Sequence, residues 1–307
     1  MKIIVTGSAG FVGTNLIIEL IKNKHRVIGL DNLSISKKNR LKLKNFSFFK
    51  RDIRNKNSIK NFFKNSNCII HLAAGTNVFN SIQHPGESFS NNMISNINVL
   101  EIAREYNIKK IIFASTGGAI IGENKGKKSN ENSQSKPQSP YGAFKFSSEI
   151  INNSYSSCYG LKIFNLRFSN IYGPYSLQKK NLIPNIFKAL IKNIPIKING
   201  NGLKSRDFIY IGDVVRAIMS AIKSNEYGTY NVCYGRSYSI KRLIDIIEKI
   251  TEKNIKIKRN KPIKGEVEHS ILDNSKIKKK LRFQIRYSLE NGLKETWNWY
   301  KKNFKEI

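Results

Sequence analysis

Tyr141 and Lys145 stand four apart in the segment Pro140-Tyr141-Gly142-Ala143-Phe144-Lys145. On a helix that spacing puts both side chains on one face. A phenol with a pKa of ~10 is a poor base at neutral pH. A neighbouring ammonium favours phenolate and draws that pKa toward the working range. Tyr-x-x-x-Lys also recurs on ordinary solvated helix faces, so its surroundings decide its meaning. The second constellation is Thr6-Gly7-Ser8-Ala9-Gly10-Phe11-Val12-Gly13, between a short apolar run and a helical pattern. Glycines so spaced let the chain turn sharply, bring backbone close to a pyrophosphate, and pack helix against strand. The helix start then offers unpaired N–H groups and a positive dipole end to phosphate. Eighteen residues beyond Gly13, Asp31 closes the second apolar run. Its carboxylate is suited to ribose hydroxyls and repels a 2′-phosphate, which favours NAD as cofactor. Arg26 does not fill the phosphate-gripping position, whereas Lys37-Lys38 keep NADP open as the alternative.

The elements that must hold these groups are legible from periodicity. Residues 2–6, 26–30, 46–50, 68–71, 110–114 and 162–166 are strand-sized and rich in Ile, Val or Phe. Helix-length segments such as 11–23 and 92–106 lie between them. Alternation of this kind predicts an α/β fold, a Rossmann-type doubly wound parallel sheet. Residues 122–140 are polar, carry Pro137 and Pro140, and read as a loop that is mobile without ligand. Beyond residue 172 the alternation fails. Residues 182–194 and 239–250 are expected helices, Trp297-Asn298-Trp299-Tyr300 lies in a final one, and 196–198 and 208–211 are short strands. The division expected is a cofactor domain over 1–172 with a returning segment near 207–234. A smaller α/β substrate-binding lobe covers 173–206 and 235–307.

Composition narrows the classes. Of 307 residues, 40% are hydrophobic, enough for a sizeable core. Met1-Lys2 leads directly into Ile3-Ile4-Val5 without a signal-peptide pattern, and no apolar run approaches the about 20 residues a membrane helix needs. Cys68, Cys158 and Cys233 are scattered and odd in number, which argues against disulfides and against a metal site. They read as reduced, mostly buried thiols of a cytoplasmic protein. The net charge of +33 would attract nucleic acid. The basic residues are nevertheless spread along the chain without aromatic interleaving, so compositional drift toward Lys, Asn and Ile is favoured over nucleic-acid recognition. An anionic substrate would still benefit from the field.

Further motifs occur in order: Asp31-Asn32-Leu33-Ser34, Asp52-Ile53, His71-Leu72-Ala73-Ala74, Arg167-Phe168-Ser169-Asn170-Ile171-Tyr172-Gly173-Pro174, Arg206-Asp207-Phe208-Ile209-Tyr210 and Leu272-Asp273-Asn274-Ser275-Lys276. With the glycine turn and the Tyr-Lys pair, the whole chain resembles the extended short-chain dehydrogenases/reductases, in their nucleotide-sugar epimerase and dehydratase branch. The closest pattern is that of UDP-glucose 4-epimerases. The resemblance implies that Gly7, Gly10, Phe11, Val12, Gly13, Asp31 and Asn32 hold NAD. By the same likeness Asp52 and Ile53 flank its adenine, and Ala73, Ala74 and Asn92 approach its phosphate and ribose side. Tyr141 and Lys145 would be the catalytic pair beside the nicotinamide, whose positive ring adds to the pull on the phenol. The hydroxyl that bonds the reacting oxygen would be Thr116, with Ser115 next. Asn170 and Arg206 would hold the substrate's diphosphate, Arg206 through its planar fork. The structural alternative for Arg206 is an ion pair with Asp207 or Asp213. The chain departs from the family at Ile121, where Tyr is usual near the substrate. It departs again at Ile263, where Arg is usual three residues before Glu266; Lys264 or Lys261 would substitute. His71 reads as a core or strand-end histidine rather than a catalytic one.

The resemblance also separates chemistries. Related dehydratases place Asp-Glu after the hydroxyl residue, and related decarboxylases keep a Glu there. Gly117-Gly118-Ala119 supply no carboxyl group. The expectation is therefore redox-neutral epimerisation at C4 of a UDP-hexose through a transient 4-keto sugar, on UDP-glucose/UDP-galactose or the N-acetylated pair. The alternatives are another dehydratase, decarboxylase or reductase of the superfamily, or a non-catalytic NAD-binding protein that binds RNA. The likeness further implies a homodimer, joined through helices near 92–106 and 141–159.

Overall fold

A computed structural model describes the chain except residues 37, 40, 124–125, 262–266 and 305–307. Its large sheet has seven strands in the order β10-β6-β5-β4-β1-β2-β3. These are β1 (Lys2–Thr6), β2 (Arg26–Asp31), β3 (Phe46–Lys50), β4 (Cys68–His71), β5 (Lys110–Thr116), β6 (Lys162–Phe168) and β10 (Gly228–Val232). Every neighbouring pair runs parallel. This is the doubly wound α/β sheet that the alternation predicts. Strands buried on both faces read as unbroken apolar runs, and Ile3, Ile4, Val5, Ile69, Ile70, Ile111 and Ile112 are all buried.

Strand order reverses between β1 and β4, and a crevice opens above their carboxyl ends, where such folds bind ligands. The helix Phe11–Lys22 follows β1 there, burying Phe11, Leu16, Ile17 and Leu20. The helix Pro140–Tyr159 begins at Ser139, whose side chain accepts from the Gly142 N–H, with proline at the first helical position. One element was not anticipated: Ser90–Ile94 forms a π-helical turn ahead of the helix Ser95–Glu105.

The other strands form two smaller groups. Strand β9 (Ser205–Tyr210) pairs with β7 (Asn170–Tyr172), β11 (Ser237–Ser239) and β13 (His269–Ser270). Strands β8 (Ile196–Asn199) and β12 (Ile257–Asn260) form a separate parallel pair. The helix Ile211–Lys223 returns against Phe11–Lys22, and β10 then joins the large sheet beside β6. The described part of the polar loop is pinned rather than loose. Ser129 bridges to Leu272, the Glu131 carboxylate accepts from the Asn231 N–H at 2.7 Å, and the Lys136 N–H donates to Ile120.

Candidate functional site

The glycine turn is shaped for close approach. Gly7 has φ +68°, and a Cβ there would stand 2.7 Å from the Ala73 nitrogen; one on Gly13 would stand 2.4 Å from the Gly7 carbonyl oxygen. Phe11 places its ring in the core and Val12 packs against the same core, which leaves their backbone at the helix start to face the crevice. Asp31, ending β2, accepts from the Ala9 N–H at 3.0 Å and the Leu33 N–H at 2.8 Å. Burial raises its carboxyl above the usual range, and those two N–H groups oppose the rise. Asn32 donates to Asp52 at 3.3 Å. Asp52 is held down to about 2 by its hydrogen bonds with Arg54. Ile53 is buried with the second hydrophobic cluster.

Across the crevice, Ala73 donates its N–H to Thr6 Oγ1 at 3.3 Å, and Ala74 continues the loop beyond β4. Asn92 donates to the Gly75 carbonyl at 3.3 Å and the Ser88 carbonyl at 2.8 Å. The buried Ser8 Oγ and Asn92 Oδ1 have no hydrogen-bond partner among the described residues. A glycine cradle a side chain would block, a carboxylate at the end of β2 and unsatisfied polar atoms around the crevice together fit a dinucleotide.

Tyr141 and Lys145 are both buried on the helix Pro140–Tyr159. Gly142 lets this helix abut the next segment closely, since a Cβ there would fall 2.2 Å from the Ala119 oxygen. Lys145 donates to the Ala114 carbonyl at 2.8 Å and lies 4.5 Å from the Phe113 ring centre. Burial pulls the ammonium down to about 7, and the Glu149 charge opposes this. Burial pushes the Tyr141 phenol up to about 12, with hydrogen bonding from Thr116 acting in the opposite sense. Ser115, by contrast, donates to Glu149 at 2.5 Å and is buried. Successive strand residues point to opposite faces, so Thr116 meets Tyr141 while Ser115 turns into a buried ion pair. Ser115, the expected alternative hydroxyl, is here bonded to Glu149. His71 sits 2.7 Å from Thr6 Oγ1 and is pushed down to about 3 by burial and by Lys145. It is a neutral strand-end histidine.

Asn170 and Arg206 line one cavity of about 260 Å³, together with Asn181, Lys197, Phe208 and Ile240 among others. Asn170 donates to the Asp207 carbonyl at 3.1 Å. Arg206 Nη1 donates to the Ser205 and Glu268 carbonyls. The acids proposed as its ion-pair partners are engaged elsewhere: Asp207 accepts from the Tyr234 and Gly235 N–H groups, and Asp213 pairs with Arg216. Lys264 and Ile263 lie outside the described residues. Ile121 is buried in a small cluster with Cys233 and Leu272, so its side chain belongs to packing.

Several site residues had no clear sequence signal. Ser81 Oγ accepts the Tyr141 N–H at 3.2 Å. Asn181 and Lys197 enter the cavity from segments with no motif. Glu149 and Arg167 form a buried pair at 2.7 Å beside Ser115. Arg167 opens one of the ordered motifs, and the i, i+4 spacing of Lys145 and Glu149 places the carboxylate on the catalytic helix face, but neither signal joins the two.

A family model described as "NAD dependent epimerase/dehydratase family" matches residues 3–233. Among solved structures, UDP-glucose 4-epimerase of Thermotoga maritima with UDP-glucose is 35% identical at a TM-score of 0.93, covering 99% of this chain and 100% of that one. The Thermus thermophilus UDP-glucose 4-epimerase complex with NAD is 30% identical at a TM-score of 0.92, covering 98% and 99%. A UDP-glucuronate 4-epimerase of Thermodesulfobacterium geofontis is 33% identical over 99% of this chain and 97% of its own length.

Proposed function

The chain belongs to the NAD dependent epimerase/dehydratase family, and from that premise we propose that it epimerises C4 of a UDP-hexose through a transient 4-keto sugar. The substrates proposed are UDP-glucose and UDP-galactose or their N-acetylated counterparts. The observation that carries this reading is the convergence of Tyr141, Lys145 and Thr116 above β5, followed by Gly117-Gly118-Ala119 with no carboxyl group.

In this reading Gly7, Gly10, Gly13 and Asp31 hold NAD, with Asn32, Asp52, Ile53, Ala73, Ala74 and Asn92 around it. Bound NAD supplies the hydride acceptor and, oxidised, a positive ring. Lys145 and that charge offset the burial of the phenol. Tyr141 then takes the proton of the sugar 4-hydroxyl and later returns one, while Thr116 bonds the same oxygen. Asn170 and Arg206 would anchor the diphosphate while the sugar turns over within the site. Residues 1–172 and the returning segment would serve the cofactor, the remainder the substrate.

The reading extends to a cytoplasmic homodimer. Among the described residues no helix is long and apolar enough to cross a membrane. Exposed Ile94, Ile97 and Ile150 lie on the segments expected to meet a second copy, and light scattering would measure that association. Incubating the purified chain with UDP-galactose should yield UDP-glucose. Absence of conversion of UDP-galactose, UDP-glucose, UDP-N-acetylglucosamine and UDP-glucuronate alike would sink the proposal.

A further inference from the structure

Behind the Tyr141–Lys145 face lies a second, fully internal layer of charge. Glu149 follows Lys145 by one helical turn and is 2% exposed. Its Oε1 accepts from Ser115 Oγ at 2.5 Å and from Arg167 Nε at 3.0 Å, and its Oε2 accepts from Arg167 Nη2 at 2.7 Å. Arg167, on β6, is itself buried and donates through Nη1 to the Glu131 carbonyl at 3.3 Å. Removing a carboxylate and a guanidinium from water is costly, and an apolar pair of similar volume often serves a fold as well. The placement of this pair therefore calls for a reason beyond packing.

That reason is its neighbour. Lys145 must lose its water to reach the site, and burial alone favours the neutral amine. The groups around it are His71 on β4, neutral and bonded to Thr6; the Ala114 carbonyl, Ser115 and Thr116 on β5; Arg167 on β6; and Tyr141 and Glu149 on its own helix. Of these, Glu149 carries the negative charge that favours the ammonium. The same carboxylate grips Ser115, so the last turn of β5 is held from behind while Thr116 faces forward.

We propose that Glu149, clamped by Arg167 and Ser115, is a positioning residue that places a negative charge one helical turn behind Lys145 and sets the orientation of Thr116. This rests on the epimerase reading for its kinetic readout only. The test uses the full NAD-loaded chain as Glu149→Gln, Glu149→Asp and the double variant Glu149→Gln/Arg167→Gln. The double variant covers the case in which Gln alone leaves Arg167 an intolerable unpaired cation. Two quantities are measured: the pH profile of kcat and KM with UDP-galactose, and the side-chain titration of Lys145 by NMR of 13C-lysine protein, assigned with Lys145→Met.

Loss of an adjacent opposite charge should lower the Lys145 titration, and the alkaline limb of kcat, by about one pH unit. That corresponds to roughly a tenfold fall in kcat on the alkaline side with KM little changed. Glu149→Asp should keep the native limb. An unshifted Lys145 titration in a folded Glu149→Gln or double variant overturns the proposal, as does an equal shift in Glu149→Asp. A shifted titration in a protein that converts no UDP-hexose sinks the epimerase reading and leaves this one standing.

Discussion

Lys145 reaches from the helix Pro140–Tyr159 to the carbonyl oxygen of Ala114, 2.8 Å away, and so ties the Tyr141 helix to the strand that ends in Thr116. The bond holds the Lys145 side chain on the same helix face as the buried phenol. Burial pushes the Tyr141 phenol up to about 12, so a base at neutral pH needs nearby positive charge to favour phenolate.

Tyr141→Phe should accordingly lower kcat for UDP-hexose interconversion by about 10²–10⁴-fold, the range for a lost acid–base group. Its fold and NAD content should match those of the native chain. Steady-state kinetics alongside a thermal melt checks both halves, and a variant with near-native kcat would remove Tyr141 from the chemistry.

Gly7→Ala puts a methyl group 2.7 Å from the Ala73 nitrogen at a φ of +68°. Holding a non-glycine residue in such a conformation costs about 1–3 kcal/mol before the clash is counted. The expected result is a lower melting temperature together with loss of tightly held NAD, read by calorimetry and by absorbance of the released nucleotide.

Arg206→Met should act on binding. A charge-assisted hydrogen bond contributes about 1.5–3 kcal/mol, so KM for the UDP-sugar should rise about 10–150-fold with a smaller change in kcat. An unchanged KM would place the diphosphate elsewhere in the cavity.

His71 gives a pH signature. Burial and Lys145 depress its folded pKa to about 3 from 6.5, so between those values the unfolded chain binds the extra proton. Stability is then lost as pH falls from 6.5 toward 3. His71→Gln, which keeps a hydrogen-bonding group beside Thr6, should flatten the fall in melting temperature over that window. Equal acid sensitivity in both proteins would assign the loss to other groups.

Much of the architecture was readable because its signals are local. Short apolar runs rich in Ile, Val or Phe and bounded by turns mark β1–β6, and a glycine turn joins the first strand to its helix. Tyr141 and Lys145 share a face by helical repeat alone. The limits of such reading fall where partners are far apart in the chain. Ser115 and Thr116 are adjacent hydroxyls that the resemblance ranks with Thr116 first, and the pleat of β5 turns Ser115 to Glu149. The polar loop reads as free because its composition lacks large apolar residues. It is instead pinned through Ser129, Glu131 and Lys136 to segments that composition cannot connect to it.

The sequence by itself determined the parallel α/β sheet, the dinucleotide turn with Asp31, and the Tyr-Lys pair, because backbone periodicity and glycine geometry act within a few residues. Tertiary structure alone decided that Asn181 and Lys197 enter the cavity of Arg206 and that Ser115 turns to Glu149. It also decided that Glu149 and Arg167 stand behind Lys145. Those outcomes depend on which buried polar and charged groups find partners, and that is settled by packing across the whole chain.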